Sequence, residues 1–179
     1  MRRFPMSLIT AAAVLLAVCT AFAQEPTAVA VRGDVAKPGQ WSIEDLKQQF
    51  SKEVQSIKFS LGNDTPQQTA TGIPLLVLIQ AASPKIEKAQ KHHDLAYLVI
   101  IEAKDSYRVF FSMAELLPQC GNAQAWLIWD VDGKPLAGKE APFRLVVLSD
   151  HGHDRQIYGI ATIRLADGIQ LANRLSAGQ

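Results

Sequence analysis

The chain has 179 residues, of which 48% are hydrophobic, and a formal net charge of +1 at pH 7. This length is enough to bury one sizeable core, so a single domain is the first expectation. A balance this close to neutral, without a basic run, argues against a nucleic-acid or polyanion partner, since such partners usually select a strongly basic face.

Residues 1–23 have the layout of a cleavable secretory signal. A start with two arginines precedes an apolar centre at Leu8–Val18 and a small-residue ending at Ala21–Ala23. The apolar centre is short for a membrane span of about 20 residues, so a permanent anchor is the weaker interpretation. We therefore predict a periplasmic or secreted protein, with residues 24–179 as its single domain and no stable membrane span after cleavage.

In the first part of the chain, strand patterns alternate with short helical ones. Val29–Val35 is predicted as a strand that ends in a Lys-Pro-Gly turn. Ser42, with Asp45 three positions later, is the predicted N-cap of a short amphipathic helix, in a near relative of the capping box. Val54–Phe59 alternates apolar and polar residues as a strand does, and Gln67–Thr71 is predicted to pair back with it.

The middle of the chain predicts a buried helix and a hairpin. The helix begins at about Pro74, because proline suits the first helical turn. Leu95–Glu102 is a continuous apolar run, typical of a strand covered on both faces. Tyr107–Phe111 is predicted as its hairpin partner. Ser112 is the predicted N-cap of a second short helix, with Glu115 at its third position.

Three further strands are predicted at Ala125–Val131, Phe143–Leu148 and Ile157–Leu165. Residues 149–156 are expected to form a polar loop that joins the last two strands as a hairpin. The tail after Asp167 has weak helical spacing and is expected to be only partly ordered. About eight strands with two or three short inserted helices predict an α+β domain rather than alternating βαβ units.

The 149–156 loop contains a dense group of side chains that can bind ligands. His151 and His153 lie there between two aspartates. His-x-His spacing can place both imidazoles on one side of an extended segment, and nearby carboxylates could complete a small transition-metal site. A site of this kind remains one hypothesis. The other histidine pair, His92 and His93, is interpreted as solvated.

Cleavage after residue 23 would leave Cys120 as the only cysteine, so no internal disulfide could form. Free cysteine is among the most buried residue types, and we interpret Cys120 as a buried small hydrophobic side chain. The alternatives are a reactive thiol and a bond to another chain.

Several segments occur in a distinctive order: VAKPGQWSIEDL, the helix opening Gly72-Ile73-Pro74-Leu75, then KDSYRVFF, DVDGKPL and APFRLVVLSD. Together they resemble the molybdopterin-binding domain of the sulfite oxidase family, especially its small exported single-domain members. The resemblance extends from about Val29 to Leu165. It implies a sulfite-oxidase-type molybdopterin-binding fold, with mixed β-sheets and short inserted helices.

In that family a cysteine in a Cys-x-Gly-Asn type segment holds the metal. The matching segment here runs from Ser60 to Asn63, so a serine stands where the resemblance implies the cysteine. A thiolate suits the metal, whereas a neutral hydroxyl is a much poorer ligand. Cys120 lies in a similar Cys-Gly-Asn stretch, but it comes after both the helix opening and the Tyr107 hairpin.

Arg144 matches the arginine of the family's Pro-x-Arg-Leu motif, and its planar fork suits a phosphate or oxyanion. The alternative is a structural arginine at the sheet edge, or one paired with Asp130 or Asp150. The resemblance and the loop together make five residues candidates for cofactor binding: Ser60, Asn63, Arg144, His151 and His153.

Two functional hypotheses follow. The first is an exported protein that has lost its metal-ligand cysteine, needs no cofactor and acts as a ligand- or partner-binding module. Its partner would be a periplasmic protein or a small anionic ligand. The alternative is a molybdopterin-dependent oxidoreductase with an atypical metal ligand. A hydrolase is not favoured, since no nucleophile-elbow sequence is present.

Overall fold

The computed structural model describes residues 27–60, 65–150 and 155–178. The strands within these ranges are β1 (Ala28–Gly33), β2 (Gly39–Ser42), β3 (Gln55–Phe59), β4 (Gln68–Pro74), β5 (Tyr97–Ala103), β6 (Arg108–Ser112), β7 (Ala125–Val131), β8 (Lys134–Pro135), β9 (Arg144–Val147) and β10 (Ile160–Asp167). The α-helices are α1 (Ile43–Gln49), α2 (Leu75–Ala81), α3 (Met113–Leu116) and α4 (Gly168–Ala177). The predicted secretory signal and the candidate residues Asn63, His151 and His153 lie outside the described ranges.

The strands form two sheets. The first has the order β2-β1-β10-β5-β6, in which β1 and β10 are parallel and the other neighbours antiparallel. The second has the order β3-β4-β7-β8, and β9 also pairs with β7; all of its pairs are antiparallel. The predicted mixed architecture of β-sheets with few, short helices is confirmed at this level, and the described strands form two sheets.

The main hydrophobic core lies between the two sheets. Side chains such as Val31, Val99 and Ile163 enter it from the first sheet, and Leu127 and Leu145 from the second. A smaller apolar cluster covers the opposite face of the second sheet: Ile57, Phe59, Ala70, Trp126, Ile128 and Val146. β7 is therefore buried on both faces from Ala125 to Trp129, which explains the apolar run at those positions.

Both predicted helix caps are confirmed. The Ser42 hydroxyl accepts a hydrogen bond from the Asp45 N–H at 3.1 Å, and the Asp45 carboxylate accepts one from the Ser42 N–H at 2.9 Å. Ser112 and Glu115 form the same reciprocal pair at the start of α3. Each capping box satisfies backbone donors that the first helical turn leaves free, so these short helices begin at defined residues.

The predicted hairpin between the last two long strands is wrong. β9 pairs with β7 in the second sheet, whereas β10 lies between β1 and β5 in the first. Leu145 and Ile157 form an isolated bridge. The two strands that the prediction paired therefore belong to different sheets. Local alternation of apolar residues identified both strands but carries no information on which neighbour each one pairs with.

β5 is also less buried than predicted. Its residues alternate between buried and half-buried, so one of its faces is only partly covered. The tail forms helix α4, whose N-cap Asp167 accepts hydrogen bonds from the N–H groups of Ile169 and Gln170 at 2.9 and 3.1 Å. Residues 170–178 are exposed. No helix in the described part of the chain has the length and apolar character needed to cross a membrane.

The interpretation of His93 as a solvated residue is wrong. Its side chain is 4% exposed, and its Nε2 lies 3.0 Å from Oδ2 of Asp167. Its Nδ1 accepts a hydrogen bond from the Glu87 N–H at 2.7 Å. The neighbouring His92 is exposed. The sequence could not separate these two histidines, because only the tertiary fold brings Asp167 next to one of them.

Candidate functional site

Arg144 begins β9 and lies on the face of the second sheet that carries the smaller apolar cluster. It is opposite Ile128 of β7, and it is 3% exposed. Its guanidinium carbon lies 4.4 Å from the centroid of the Tyr158 ring and 5.2 Å from that of Phe59. Aromatic faces attract a guanidinium, so these two rings help to hold the charge in this buried position.

The polar contacts of Arg144 are few for a buried cation. Nη2 donates a hydrogen bond to Oε1 of Gln156 at 2.7 Å, while Nε is buried without a partner. Within residues 27–60, 65–150 and 155–178, no carboxylate lies within salt-bridge distance of it. Burial lowers the pKa of the guanidinium, and the nearby Tyr158 and Glu140 act in the opposite direction. An arginine remains charged at neutral pH, so this positive charge is buried and has no ion-pair partner among the described residues.

Neither acidic partner considered for Arg144 from the sequence forms a salt bridge with it, and each has another partner. Asp130 accepts a hydrogen bond from the Thr71 N–H at 3.1 Å, which joins two neighbouring strands. Asp150 accepts one from Nε of Arg155 at 2.9 Å. The side-chain partner of Arg144 is the neutral Gln156 and not one of these aspartates.

A pocket of about 230 Å³ lies beside this buried charge. Its polar lining consists of Lys58, Ser60, Gln67, Asp150 and Gln156, and Phe59 and Val146 belong to its apolar lining. Phe59 and Gln156 both contact the Arg144 guanidinium. The pocket wall therefore separates a small polar space from an unpaired cation.

Arg155 binds Asp150, one of the residues that line this pocket. Its Nη1 donates to Oε1 of Glu115 at 3.0 Å, in addition to its bonds to Asp150, and its guanidinium carbon lies 4.6 Å from the Phe111 ring centroid. The hydrogen bond that Arg155 donates to Asp150 is the main cause of the raised pKa of Arg155. Because Asp150 is paired in this way, the pocket has one carboxylate that is already neutralised and one lysine, Lys58, that is exposed and has no ion-pair partner among the described residues.

The structure brings two of the five sequence candidates to this region. Ser60 is exposed and lines the pocket, and Arg144 lies behind the wall formed by Phe59 and Gln156. For Asn63, His151 and His153 no position is described. The chain leaves the described ranges at Ser60 and at Asp150, which line the same pocket.

Sequence reasoning missed Lys58, Gln156 and Tyr158. Gln156 and Tyr158 flank the start of the last apolar run, where the pattern indicated only a loop followed by a strand. An uncharged amide gives no signal of pairing with an arginine. Lys58 was assigned to the polar face of a strand, and that assignment is confirmed because it is an exposed residue of β3.

The described residues do not form a metal site with a protein thiolate. No group of three or more His, Cys, Asp or Glu side chains that could hold a metal occurs in the described ranges. Ser60 offers a hydroxyl where the resemblance implies a thiolate, and a hydroxyl must ionise to compete as a ligand. Cys120 is exposed, contrary to the prediction that it is buried, and it is not among the residues that line this pocket.

Comparison with protein-family models and with curated protein sequences gives no match. Comparison with solved structures shows that the fold is similar to that of the sulfane dehydrogenase SoxCD from Paracoccus pantotrophus, with a TM-score of 0.58 and 19% sequence identity. The match covers 80% of this chain and 39% of that one, so this chain spans about two fifths of its length. At this identity the similarity concerns the fold, and it supports a molybdopterin-oxidoreductase-like fold for this protein.

Proposed function

We propose that this protein is an exported binding module with a molybdopterin-oxidoreductase-like fold, and that its pocket takes a small anionic ligand. The observation that carries this proposal is the unpaired, buried charge of Arg144 next to the pocket. A buried cation without a counter-ion is costly, and an anion bound nearby offsets part of that cost. The ligand class is a small oxyanion or carboxylate, because the pocket volume is only about 230 Å³.

Three groups of the pocket can donate hydrogen bonds to such an anion. Lys58 supplies an ammonium, Ser60 a hydroxyl, and Gln156 an amide nitrogen, since its Oε1 is already used by Arg144. Bonds to an ionised acceptor are shorter and about twice as strong as neutral ones. Arg144 would act through Gln156, by orienting the amide and by adding a positive field at short range.

The test is a titration of the purified protein with sulfate, phosphate and acetate, in which binding is measured by calorimetry or NMR. Lys58→Gln and Ser60→Ala should weaken binding, while Lys134→Gln, an exposed lysine on β8, serves as the control. The proposal is overturned if none of the three anions binds, or if the Lys58 and Lys134 variants behave alike. Mass spectrometry of the protein recovered from the periplasm would check the export that the first 23 residues predict.

The second candidate is a molybdopterin-dependent oxidoreductase with an atypical metal ligand. It is favoured by the fold similarity to a dehydrogenase and by the position of Ser60 at the edge of the pocket. Expression in a host that makes the cofactor, followed by assays of molybdenum and pterin, separates the two functions. Near-stoichiometric molybdenum that is lost in Ser60→Ala would favour the oxidoreductase. A metal-free protein that still binds anions would favour the binding module.

A further inference from the structure

The first sheet has a face that turns away from the main core, which we call the outer face. Its central side chains are Arg32, Ile100, Glu102, Arg108, Phe110 and Arg164. They form two rows across the strands. In one row Arg32 is opposite Arg164, which is opposite Ile100, which is opposite Phe110. In the neighbouring row Glu102 is opposite Arg108.

The outer face carries an excess of positive charge. Arg32 and Arg164 are direct cross-strand neighbours, an arrangement that is unfavourable for like charges. Arg32 donates a hydrogen bond to the Thr162 hydroxyl at 2.7 Å, whereas Arg164 has no hydrogen-bond or ion-pair partner in the described part of the chain. Glu102 is the one carboxylate of the set, and it accepts a bond from Nε of Arg108 at 2.9 Å.

The pKa of Glu102 reflects this excess. The hydrogen bond from Arg108 is the largest cause of its lowered pKa, and the charges of Arg164 and Arg32 act in the same direction. A single carboxylate is therefore shared by three arginines. Three arginines against one carboxylate leave a net charge of two positive units among the described central residues of the outer face.

The same face exposes apolar surface beside these charges. Phe110 is 55% exposed and lies on β6, the edge strand of the sheet. Ile100 is half-buried next to it. A solvated face of a sheet is normally polar, and a large exposed aromatic side chain next to other apolar groups is typical of an interaction surface. Helix α4 touches β5 and β10, but its residues from 170 onward are exposed.

We infer that the outer face is a docking surface for a partner protein that presents carboxylates beside apolar side chains. Carboxylates would pair with Arg164 and Arg32, and an apolar stripe would cover Phe110 and Ile100, which lie beside them in the same row. A second copy of this chain is a poor occupant, because it would bring the same positive excess against this one. An anionic membrane is disfavoured by Glu102, whose carboxylate would face the lipid phosphates.

This inference does not rest on the anion pocket, which lies on the second sheet. The test uses an amphipathic helical peptide whose leucine stripe is flanked by glutamates, titrated into the isotope-labelled protein and followed by NMR. The expected result is a set of shifts at outer-face residues, with binding lost when glutamines replace the peptide's glutamates. Arg164→Glu and Phe110→Ala should each weaken binding by about tenfold at low salt.

Matched variants elsewhere provide the controls. Lys134→Glu reverses a charge on β8, and Ile86→Ala removes an apolar side chain that is 45% exposed; neither should change the affinity. The inference is overturned if the acidic peptide does not bind, or if the NMR shifts are confined to another surface. It is also overturned if each outer-face variant changes the affinity no more than its control variant does. It is also overturned if vesicles of phosphatidylglycerol bind in preference to the peptide, or if ultracentrifugation shows self-association that Arg164→Glu abolishes.

Discussion

Nε2 of His93 and Oδ2 of Asp167 lie 3.0 Å apart, and both side chains are almost completely buried. Asp167 ends β10 and caps α4, while His93 belongs to the turn before β5. Because Nδ1 of His93 accepts a backbone hydrogen bond from Glu87, its Nε2 is the nitrogen that donates to Asp167 in the neutral ring. One carboxylate thus joins the start of the last helix to the start of a central strand.

Asp167 makes stability depend on pH in the acidic range. Burial opposes its ionisation more than any other single factor, but hydrogen bonds from Gln170, His93 and Ile169 together hold its pKa below the usual 3.8. A carboxylate with a lowered folded-state pKa adds stability above its unfolded-state pKa, and this is lost as the pH falls through the folded-state value. We therefore expect the loss below about pH 4, measured by denaturant unfolding at several pH values.

Two substitutions separate the charge of Asp167 from its hydrogen bonds. Asp167→Asn retains an oxygen that can cap the helix but has no ionisable carboxyl group. Its free energy of unfolding should therefore depend less on pH below pH 4. Asp167→Ala removes the cap and leaves His93 without its partner, so it should lower the free energy of unfolding by about 3 kcal/mol at pH 7. An unchanged acid profile in the asparagine variant would show that other carboxylates cause the loss.

Gly33 and Gly133 provide a paired test of backbone conformation. Both have positive φ, at +98° and +73°. A β-carbon at Gly33 would overlap the carbonyl oxygen of Leu165 on β10, whereas one at Gly133 would meet no atom within 4 Å. Gly133→Ala should therefore lower the free energy of unfolding by only the left-handed backbone penalty of about 1 kcal/mol. Gly33→Ala should lower it by about 3 kcal/mol more, because the β-carbon also clashes with Leu165. Thermal unfolding of both variants measures the difference, and equal losses would contradict the close approach of β1 to β10.

Cys120 is exposed in the loop after α3, so its thiol should react in the native state. A disulfide reagent such as Ellman's reagent should modify it without denaturant, at a rate close to that of the unfolded chain. Cys120→Ser should leave the free energy of unfolding unchanged, because no packed side chain is removed. Reaction only after unfolding would contradict the exposed position.

Local chemistry in the sequence predicted many of the elements. The Ser42 and Ser112 caps, strand β7 and the hairpin of β5 with β6 all depend on neighbouring residues, so their patterns were sufficient. β2 was missed because four residues next to a turn show no alternation that distinguishes them from a loop. The separation of β9 from β10 into different sheets depends on long-range pairing, which local periodicity does not encode.

The candidate site was predictable only in part, for a similar reason. The Pro-x-Arg-Leu motif identified Arg144 as a candidate. Its partners Gln156, Tyr158 and Phe59 come from other segments, which contact Arg144 only in the folded protein. An aspartate partner was one of the alternatives that the sequence left open for this arginine. The structure has a neutral amide and two rings there, and this substitution of partners is what leaves the charge unpaired.

The unpaired charge of Arg144 gives a sharp prediction for stability. Arg144→Met replaces a buried guanidinium by an apolar chain of similar length, so the free energy of unfolding should fall by less than about 1 kcal/mol or should rise. Gln156→Leu removes the side chain that accepts the hydrogen bond from Nη2 of Arg144 and leaves the charge behind, so it should cost about 2 kcal/mol. In the double variant the Gln156→Leu cost should largely disappear, since no guanidinium remains to be satisfied.

The same variants link this stability to the proposed ligand. Saturating anion should raise the melting temperature of the native protein and of Lys134→Gln, but not that of Arg144→Met, because ligand that binds the folded state stabilises it by mass action. A large loss of stability in Arg144→Met without ligand would mean that the arginine is already compensated within the fold. In that case its burial would carry no argument for an anion in the pocket.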